Sequence, residues 1–363
     1  MKIIDVHATP LAIPLSDPRI PWLWGTFSQV IVEVKTEDGL TGYGEAFGYG
    51  APQAVAAVVN HTLRPLLIGQ DASDISGIAD SLFRNTHLFG RYGVITFAIS
   101  GVDIALWDLA GKRAGLPLYA LLGGAASREV KAYASLVRYS DTDQMADDAE
   151  KAASEGYEMV KLHQTDVESI RKGREAIGGE LLMTVDVNCE WTPQHATEMA
   201  LAMDEYDLHW LEEPVWPPED FPSLAQVMDE SGVALAAGEN ACTLHQFQLM
   251  MSEGAVRYAQ PSVIKVGGVS EFIKVATLAE TYNLSLAPHS PYFGPGFLAT
   301  LHLIAHTRRA DWVEKIYCEL EVSVFPKPLE FDGAQYTIPE GPGLGLDVDP
   351  LVLKEYALKE CAA

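Results

Sequence analysis

The chain has 363 residues, 48% of them apolar, and sets 50 acidic side chains against 25 basic ones for a formal charge of -25. That length supports a large core and divides most simply into two domains. A polyanion of this size repels phosphate backbones and anionic lipid surfaces, so neither nucleic acid nor membrane is expected as a partner.

The first 45 residues alternate apolar and polar in the manner of strands. "KIIDVHATPLAIPL" and "SQVIVEVKTEDGLTGYGEA" are period-two runs, and "EDGLTG" is a hairpin signal. Between them "SDPRIPWLWGTF" reads as a loop, whose Trp22 and Trp24 are expected to cover a site. From Pro52 the period becomes helical. "YGVITFAISGVDIALWDLAGKRAG" carries a broad apolar stripe and ends at "AGLP". Residues 1–126 are therefore expected to form an α+β domain, completed by the turn-rich tail 326–363.

After "LLGG" short apolar strands alternate with polar helical stretches: "VKAYAS", "YEMVKLH", "LLMTVDVN", "LHWLEEP", "ALAAGEN", "YAQPSV", "LSLAPHS" and "DWVEKIY". Their chemically distinctive residues are Lys161, Asp186, Glu212, Glu239, Ser262, His289 and Glu314, separated by 25, 26, 27, 23, 27 and 25 residues. A strand, a helix and two loops fill about 25 residues, so this period indicates repeated βα units. Eight such units over 127–325 predict a closed (β/α)8 barrel, with an open doubly wound sheet as the rival.

In such barrels functional groups sit at the C-terminal strand ends. Asp186, Glu212 and Glu239 close three successive strands about 5 Å apart. Carboxylates that close repel one another unless a cation sits between them. Oxygen-only ligands favour a hard divalent ion such as Mg2+. Lys161 and His163, two apart on one strand, point together into the barrel mouth, where either is a candidate base. His289, three strands away around the ring, is the candidate acid or base on the opposite face. Glu314 is expected to donate a hydrogen bond to developing charge if held protonated, with a lysine salt bridge as the alternative. The pair His302 and His306 lacks the glutamate of H-E-x-x-H, which excludes a zincin site. Tyr49, Arg138 and Tyr292, from loops around the mouth, are expected to contact substrate together with Trp24, Asn188, Ser262 and Lys265.

From "DGLTGYGEA" through "SGVDIALWDLAGKRAGLPLYALLGG", "VKLH", "VDVN", "WLEEP", "GEN" and "KVGG" to "PHS" and "WVEK", the chain resembles the mandelate racemase group of the enolase superfamily. The resemblance implies an N-terminal capping domain over a modified barrel. It implies one Mg2+ per subunit on residues matching Asp186, Glu212 and Glu239, with Glu213 in support, and a homo-oligomer. It also implies abstraction of a proton α to a carboxylate, which a Lys or His base beside Mg2+ achieves. Two departures stand out. Lys161-Leu-His163 replaces the usual K-x-K, and Ser262 stands where an aspartate usually pairs with the seventh-strand histidine. A serine can orient an imidazole but cannot stabilise its cation as a carboxylate does. A symmetric two-base racemase is thereby disfavoured. The expected reaction is dehydration of a sugar acid to a 2-keto-3-deoxy acid. The alternatives are a racemase, epimerase or lactone cycloisomerase, and a non-catalytic metal-binding barrel.

Cys189, Cys242, Cys318 and Cys361 show no C-x-x-C pair, as expected of a reducing compartment. The N-terminal stretch is broken by Asp5 and His7 and does not read as a signal peptide, and no run of 18 apolar residues suggests a membrane span. A cytoplasmic enzyme of a small carboxylate is the expectation.

Overall fold

The computed structural model describes residues 1–17, 20 and 25–358, so Trp22 and Trp24 lie outside the described residues. Strands β1 (Ile3–Pro14), β2 (Thr26–Thr36) and β3 (Thr41–Ala46) form an antiparallel meander in that order. The alternation of β2 divides two cores. Val30, Val32 and Val34 join the helices behind the sheet, whereas Phe27 and Ile31 join the core that continues into the barrel. Gly39, at φ +88°, makes the tight turn into β3.

The motif "TGYGEA" is a packing requirement. A Cβ at Gly42 would lie 2.2 Å from the Ala105 carbonyl oxygen, and one at Gly44 only 1.9 Å from that of Gly101. The helix Val94–Ala114 thus rests directly on the β3 backbone. Asp108 in that helix accepts from the Tyr43 and Leu344 amides, each at 2.8 Å, and pairs with Lys112 at 2.8 Å. It ties sheet, helix and C-terminal tail together. By length and composition this helix could cross a membrane, which counting uninterrupted apolar runs did not reveal. Its apolar character on all sides is explained by burial, since only a few of its residues reach the surface.

All eight barrel strands are present: β4 (Glu129–Ser135), β5 (Met159–Leu162), β6 (Leu182–Asp186), β7 (Leu208–Glu212), β8 (Leu235–Ala237), β9 (Tyr258–Ala259), β10 (Ser285–Leu286) and β11 (Trp312–Ile316). They pair in parallel from β4 to β10 in chain order. A parallel β11–β4 ladder and the Leu286–Ala310 bridge close the ring, which disposes of the open-sheet rival. Asp141, Asp166, Thr192, Asp220 and Thr243 each N-cap the helix that follows them, so the repeat has a capping residue at a fixed place.

The tail divides between the two domains. β12 (Phe331–Asp332) and β13 (Gln335–Thr337) form a hairpin on the N-terminal half of β4, so they belong with the barrel rather than the cap. Only the following stretch returns to β1, through the helix Pro350–Tyr356 and the Leu358 amide bonded to the Pro10 carbonyl. The cap is held over the barrel by polar contacts from the helix Val94–Ala114. Ser100 accepts from the Gly267 amide at 2.8 Å, Asp103 from the Ser270 amide at 3.0 Å, and the Trp107 indole donates to Ser270 at 2.9 Å.

Candidate active site

Where the cap meets the C-terminal strand ends lies a cavity of about 590 Å³. Tyr49, Arg138, Lys161, His163, Asp186, Asn188, Glu239, His289, Tyr292 and Glu314 line it. Parallel register puts Asp186 beside Glu212 as the last residues of β6 and β7, and Glu239 follows two residues after β8. One carboxylate oxygen of each lies within 4.8 Å of the others, a spacing able to hold a metal ion.

Glu212 lies deepest. The indole of Trp210, two residues earlier on the same strand face, donates to it at 3.0 Å, so "WLEE" carries its own clamp. Beyond the strand ends Asn188, Cys189 and Glu213 all take positive φ, between 43° and 60°. Such backbone conformations cost energy and concentrate at functional sites. Here they let the Asn188 amide reach Asp186 at 2.8 Å and turn Glu213 toward Asn240, which donates to it at 2.8 Å. Burial and the neighbouring Glu239 and Asp186 raise the Glu213 carboxyl to about 8, as suits a supporting residue.

Lys161 is the cation of this centre. Its Nζ stands 2.6 Å from Glu314, 3.1 Å from Glu212 and 3.5 Å from Asp186, with 1% of the side chain exposed. Burial alone would lower its pKa, but these carboxylates carry it well above the ordinary lysine value. Burial raises all the acids, and their partners decide the outcome. Lys161 and His163 overcome it at Asp186, which falls below the carboxylate range; His289 and Lys265 bring Glu239 down to about 2. At Glu212 burial prevails, reinforced by the surrounding acids, and its carboxyl is raised in spite of Lys161. One lysine does not neutralise this set. The residual repulsion is what a divalent ion among three oxygens would relieve.

His163 Nδ1 makes a short hydrogen bond with the Leu136 carbonyl. A carbonyl only accepts, so Nδ1 carries a proton, and Nε2 is the nitrogen that faces Asp186, at 3.2 Å. Across the cavity His289 Nε2 lies 3.0 Å from Glu239, while Nδ1 is buried without a partner among the described residues.

Several expectations need correction. Glu314 accepts hydrogen bonds here instead of donating one. Although burial opposes ionisation, Lys161 and the Ser135 hydroxyl hold it below the ordinary glutamate range, and the Ser290 amide also donates to it. The lysine salt bridge that was the alternative is present, to Lys161 at 2.6 Å. Ser262 does not orient the His289 ring and does not face the cavity. It is fully buried and bonds the Tyr292 hydroxyl at 3.0 Å. Tyr292 in turn donates to the His289 carbonyl, so it lines the cavity with its ring and spends its hydroxyl on the backbone of the loop. Lys265 lies behind the centre, 3.7 Å from Glu239 and over the Phe47 ring. Its charge faces a carboxylate of the candidate metal site, and it does not line the cavity. Arg138 borders the cavity, but its guanidinium is engaged by the His163 and Val187 carbonyls, Asn188 and Glu190.

Sequence reading missed the cap-side wall. Glu45 is buried, lines the cavity and accepts from the Gly296 amide at 2.9 Å. Desolvation raises its carboxyl to about 8. Phe27 and Phe47 complete that wall. The only sequence signal was the position of Glu45 at the end of a period-two strand.

Two domain descriptions match the chain. Residues 23–123 match the mandelate racemase / muconate lactonizing enzyme N-terminal domain, and residues 144–352 match the enolase C-terminal domain-like fold. The chain is 32% identical to the arabinonate dehydratase of Saccharolobus solfataricus, across 91% of both chains. It is also 32% identical to the 3,6-anhydro-alpha-L-galactonate cycloisomerase of Streptomyces coelicolor, across 95% of both. Among solved structures, a racemase from Streptomyces coelicolor A3(2) with bound magnesium superposes with a TM-score of 0.88 at 31% identity, covering 98% of this chain and 100% of that one. With both domains matched and the barrel, cap and acidic centre in place, this chain belongs to the mandelate racemase / muconate lactonizing enzyme family of the enolase superfamily.

Proposed function

We propose that this enzyme removes the proton α to the carboxylate of a sugar acid and expels the β-hydroxyl, giving a 2-keto-3-deoxy acid, with one Mg2+ per subunit. The observation that carries this reading is the convergence of three carboxylates, Asp186 and Glu212 buried and Glu239 partly so, between a Lys-x-His strand on one flank and His289 on the other. The donor set fits a hard divalent ion: the ligands are all oxygen, and Lys161 alone leaves Glu212 with a raised pKa. Asp186, Glu212 and Glu239 would hold that ion, which would bind the substrate carboxylate and offset the charge that develops as the α-proton departs.

The remaining work falls to side chains. His163 Nε2, with Nδ1 fixed on Leu136, presents the proton acceptor to one face of the substrate, beside the Lys161 ammonium. As the Cα–H bond breaks, its electron pair forms the double bond to Cβ and the Cβ–O bond breaks. His289, from the opposite face, delivers a proton to the departing hydroxyl, which leaves as water. The enol that remains then ketonises. Ser135 and Ser290 fix Glu314, and Glu314 in turn fixes Lys161. The contacts at Glu45, Ser100 and Asp103 hold the cap against the barrel beside the site.

His289 Nδ1 has no carboxylate partner among the described residues, which leaves it the weaker base and favours elimination over two-base racemisation. The arabinonate dehydratase relative supports dehydration. The anhydro-galactonate cycloisomerase relative supports the alternative, in which the same α-proton step serves ring opening or closure. Incubating the Mg2+-loaded protein with a panel of aldonic and aldaric acids and assaying 2-keto-3-deoxy products colorimetrically tests the reading. Product that disappears with chelation is expected. Isomerised lactone without any keto acid would replace dehydration by cycloisomerisation.

A further inference from the structure

The barrel helices are of two kinds at their N-termini. Five carry a capping side chain of their own, from Asp141, Asp166, Thr192, Asp220 and Thr243. The helices Gly268–Thr281 and Pro295–His306 instead follow Gly267 and Gly294, which have no side chain to cap with. A helix start leaves backbone amides without partners, and burying them unmet is costly. Here the partners come from the other domain. Asp103 accepts from the Ser270 amide, the third of its helix, at 3.0 Å, and Ser100 accepts from the Gly267 amide at 2.8 Å. These are the two amides that a capping box satisfies from within a helix. Glu45 accepts from the Gly296 amide, the second of its helix, at 2.9 Å.

Both carboxyls take space that a side chain at the helix start would fill. A Cβ at Gly268 would lie 2.3 Å from an Asp103 carboxylate oxygen, and one at Gly294 would lie 2.6 Å from a Glu45 oxygen. Desolvation raises Asp103 to about 7 and Glu45 to about 8. A protonated carboxyl still accepts through its carbonyl oxygen, so capping does not depend on ionisation. The two helices share a second property. The loop from β9 into the first carries Lys265, the loop from β10 into the second carries His289, and both side chains reach Glu239, at 3.7 and 3.0 Å. Lys161, His163, Asp186 and Glu212 stand before helices that cap themselves.

We infer that the N-terminal domain supplies the caps of these two helices, and that Glu45 and Asp103 are thereby positioning residues for His289 and Lys265. The Lys161 side of the site is held by the barrel itself, whereas the His289 side is held only with the cap docked. The effect on turnover rests on the reading of His289 as the acid of the proposed elimination; the effect on the loops does not.

Amide hydrogen exchange of the full chain, read by mass spectrometry, tests this. Glu45→Ala should speed exchange in residues 287–298 about fivefold, the effect of one lost cap, and Asp103→Ala should do the same in 260–270. Residues 161–167 and 186–193 should be unaffected by either. Glu45→Gln, which keeps an accepting oxygen, should stay near wild type. Gly294→Ser is the decisive arm, since φ of -110° at that position suits any residue. In the wild-type background the new side chain meets Glu45 and should speed exchange. In Glu45→Ala it becomes the helix's own cap and should slow it. Unchanged exchange in Glu45→Ala, equal acceleration in all four segments, or the same effect of Gly294→Ser in both backgrounds overturns the inference. In the Mg2+-loaded protein Glu45→Ala should also lower kcat about fivefold, and Glu45→Ala/Gly294→Ser should recover it. A loosened loop with unaltered kcat overturns the positioning role. If wild type turns over no acid, the proposed reaction falls and the exchange cycle still decides the inference.

Discussion

Replacing Lys161 by methionine tests the electrostatic account of the centre. The substitution keeps most of the stem's volume and removes only the charge. That charge lies 2.6 Å from Glu314 and 3.1 Å from Glu212, with both partners essentially fully buried. Removing one member of a buried ion pair costs about 3–5 kcal/mol, because the remaining charge has no counter-ion. Lys161→Met should therefore lower the unfolding free energy of the metal-free protein by that amount. A divalent ion among Asp186, Glu212 and Glu239 restores the missing positive charge. Free Mg2+ at a hundredfold its dissociation constant stabilises by about 2.7 kcal/mol through linkage. The gain should be larger in the variant, where no ammonium competes for the same oxygens. Urea unfolding followed by tryptophan fluorescence, with chelator and then with excess Mg2+, supplies both numbers. Equal stability of the metal-free variant and wild type, or an identical Mg2+ gain in both, would refute the reasoning.

Three further predictions concern the frame around the site. His302 is fully buried and stacks on Tyr119, and burial lowers its pKa from 6.5 to about 4. The unfolded chain takes up a proton that the folded one refuses, so stability is complete above pH 6.5 and falls by about 3 kcal/mol as pH drops toward 4. Urea midpoints against pH should show that slope in wild type and lose it in His302→Gln. Gly44→Ala, which sets a Cβ against the Gly101 carbonyl, should destabilise by about 3 kcal/mol in thermal unfolding. Tyr292→Phe removes the link between Ser262 and the His289 carbonyl. It should cost about 1 kcal/mol of stability and reduce kcat with little change in KM, since the loop that positions His289 is loosened while the cavity keeps its shape.

The barrel and its acidic centre were legible because parallel βα repetition is written in sequence spacing. Strand ends recur about every 25 residues, and the side-chain period of two fixes which residue at each end faces the mouth. For that reason Lys161, His163, Asp186, Glu239, His289 and Glu314 could all be placed without coordinates. What escaped depends on contacts that no local pattern encodes. Glu45 meets Gly296 across 251 residues, and the sequence offers no register for a cap strand against a distant barrel helix. The protonation of Glu314 depends on Lys161, 153 residues earlier and adjacent only because β11 and β4 close the ring with β5 next in order. Ser262 lies three residues beyond β9 and bonds the Tyr292 hydroxyl, which donates to the His289 carbonyl, so it reaches the backbone of His289 and not its ring. Spacing identifies the slot and does not show which neighbour fills the gap.

The most direct test of the central claim is proton NMR of the Mg2+-loaded protein with sugar acids in D2O. The account predicts loss of the α-proton signal and appearance of a 3-deoxy methylene carrying deuterium, both suppressed by chelation and by His163→Ala. An α-proton that persists in every acid would contradict it.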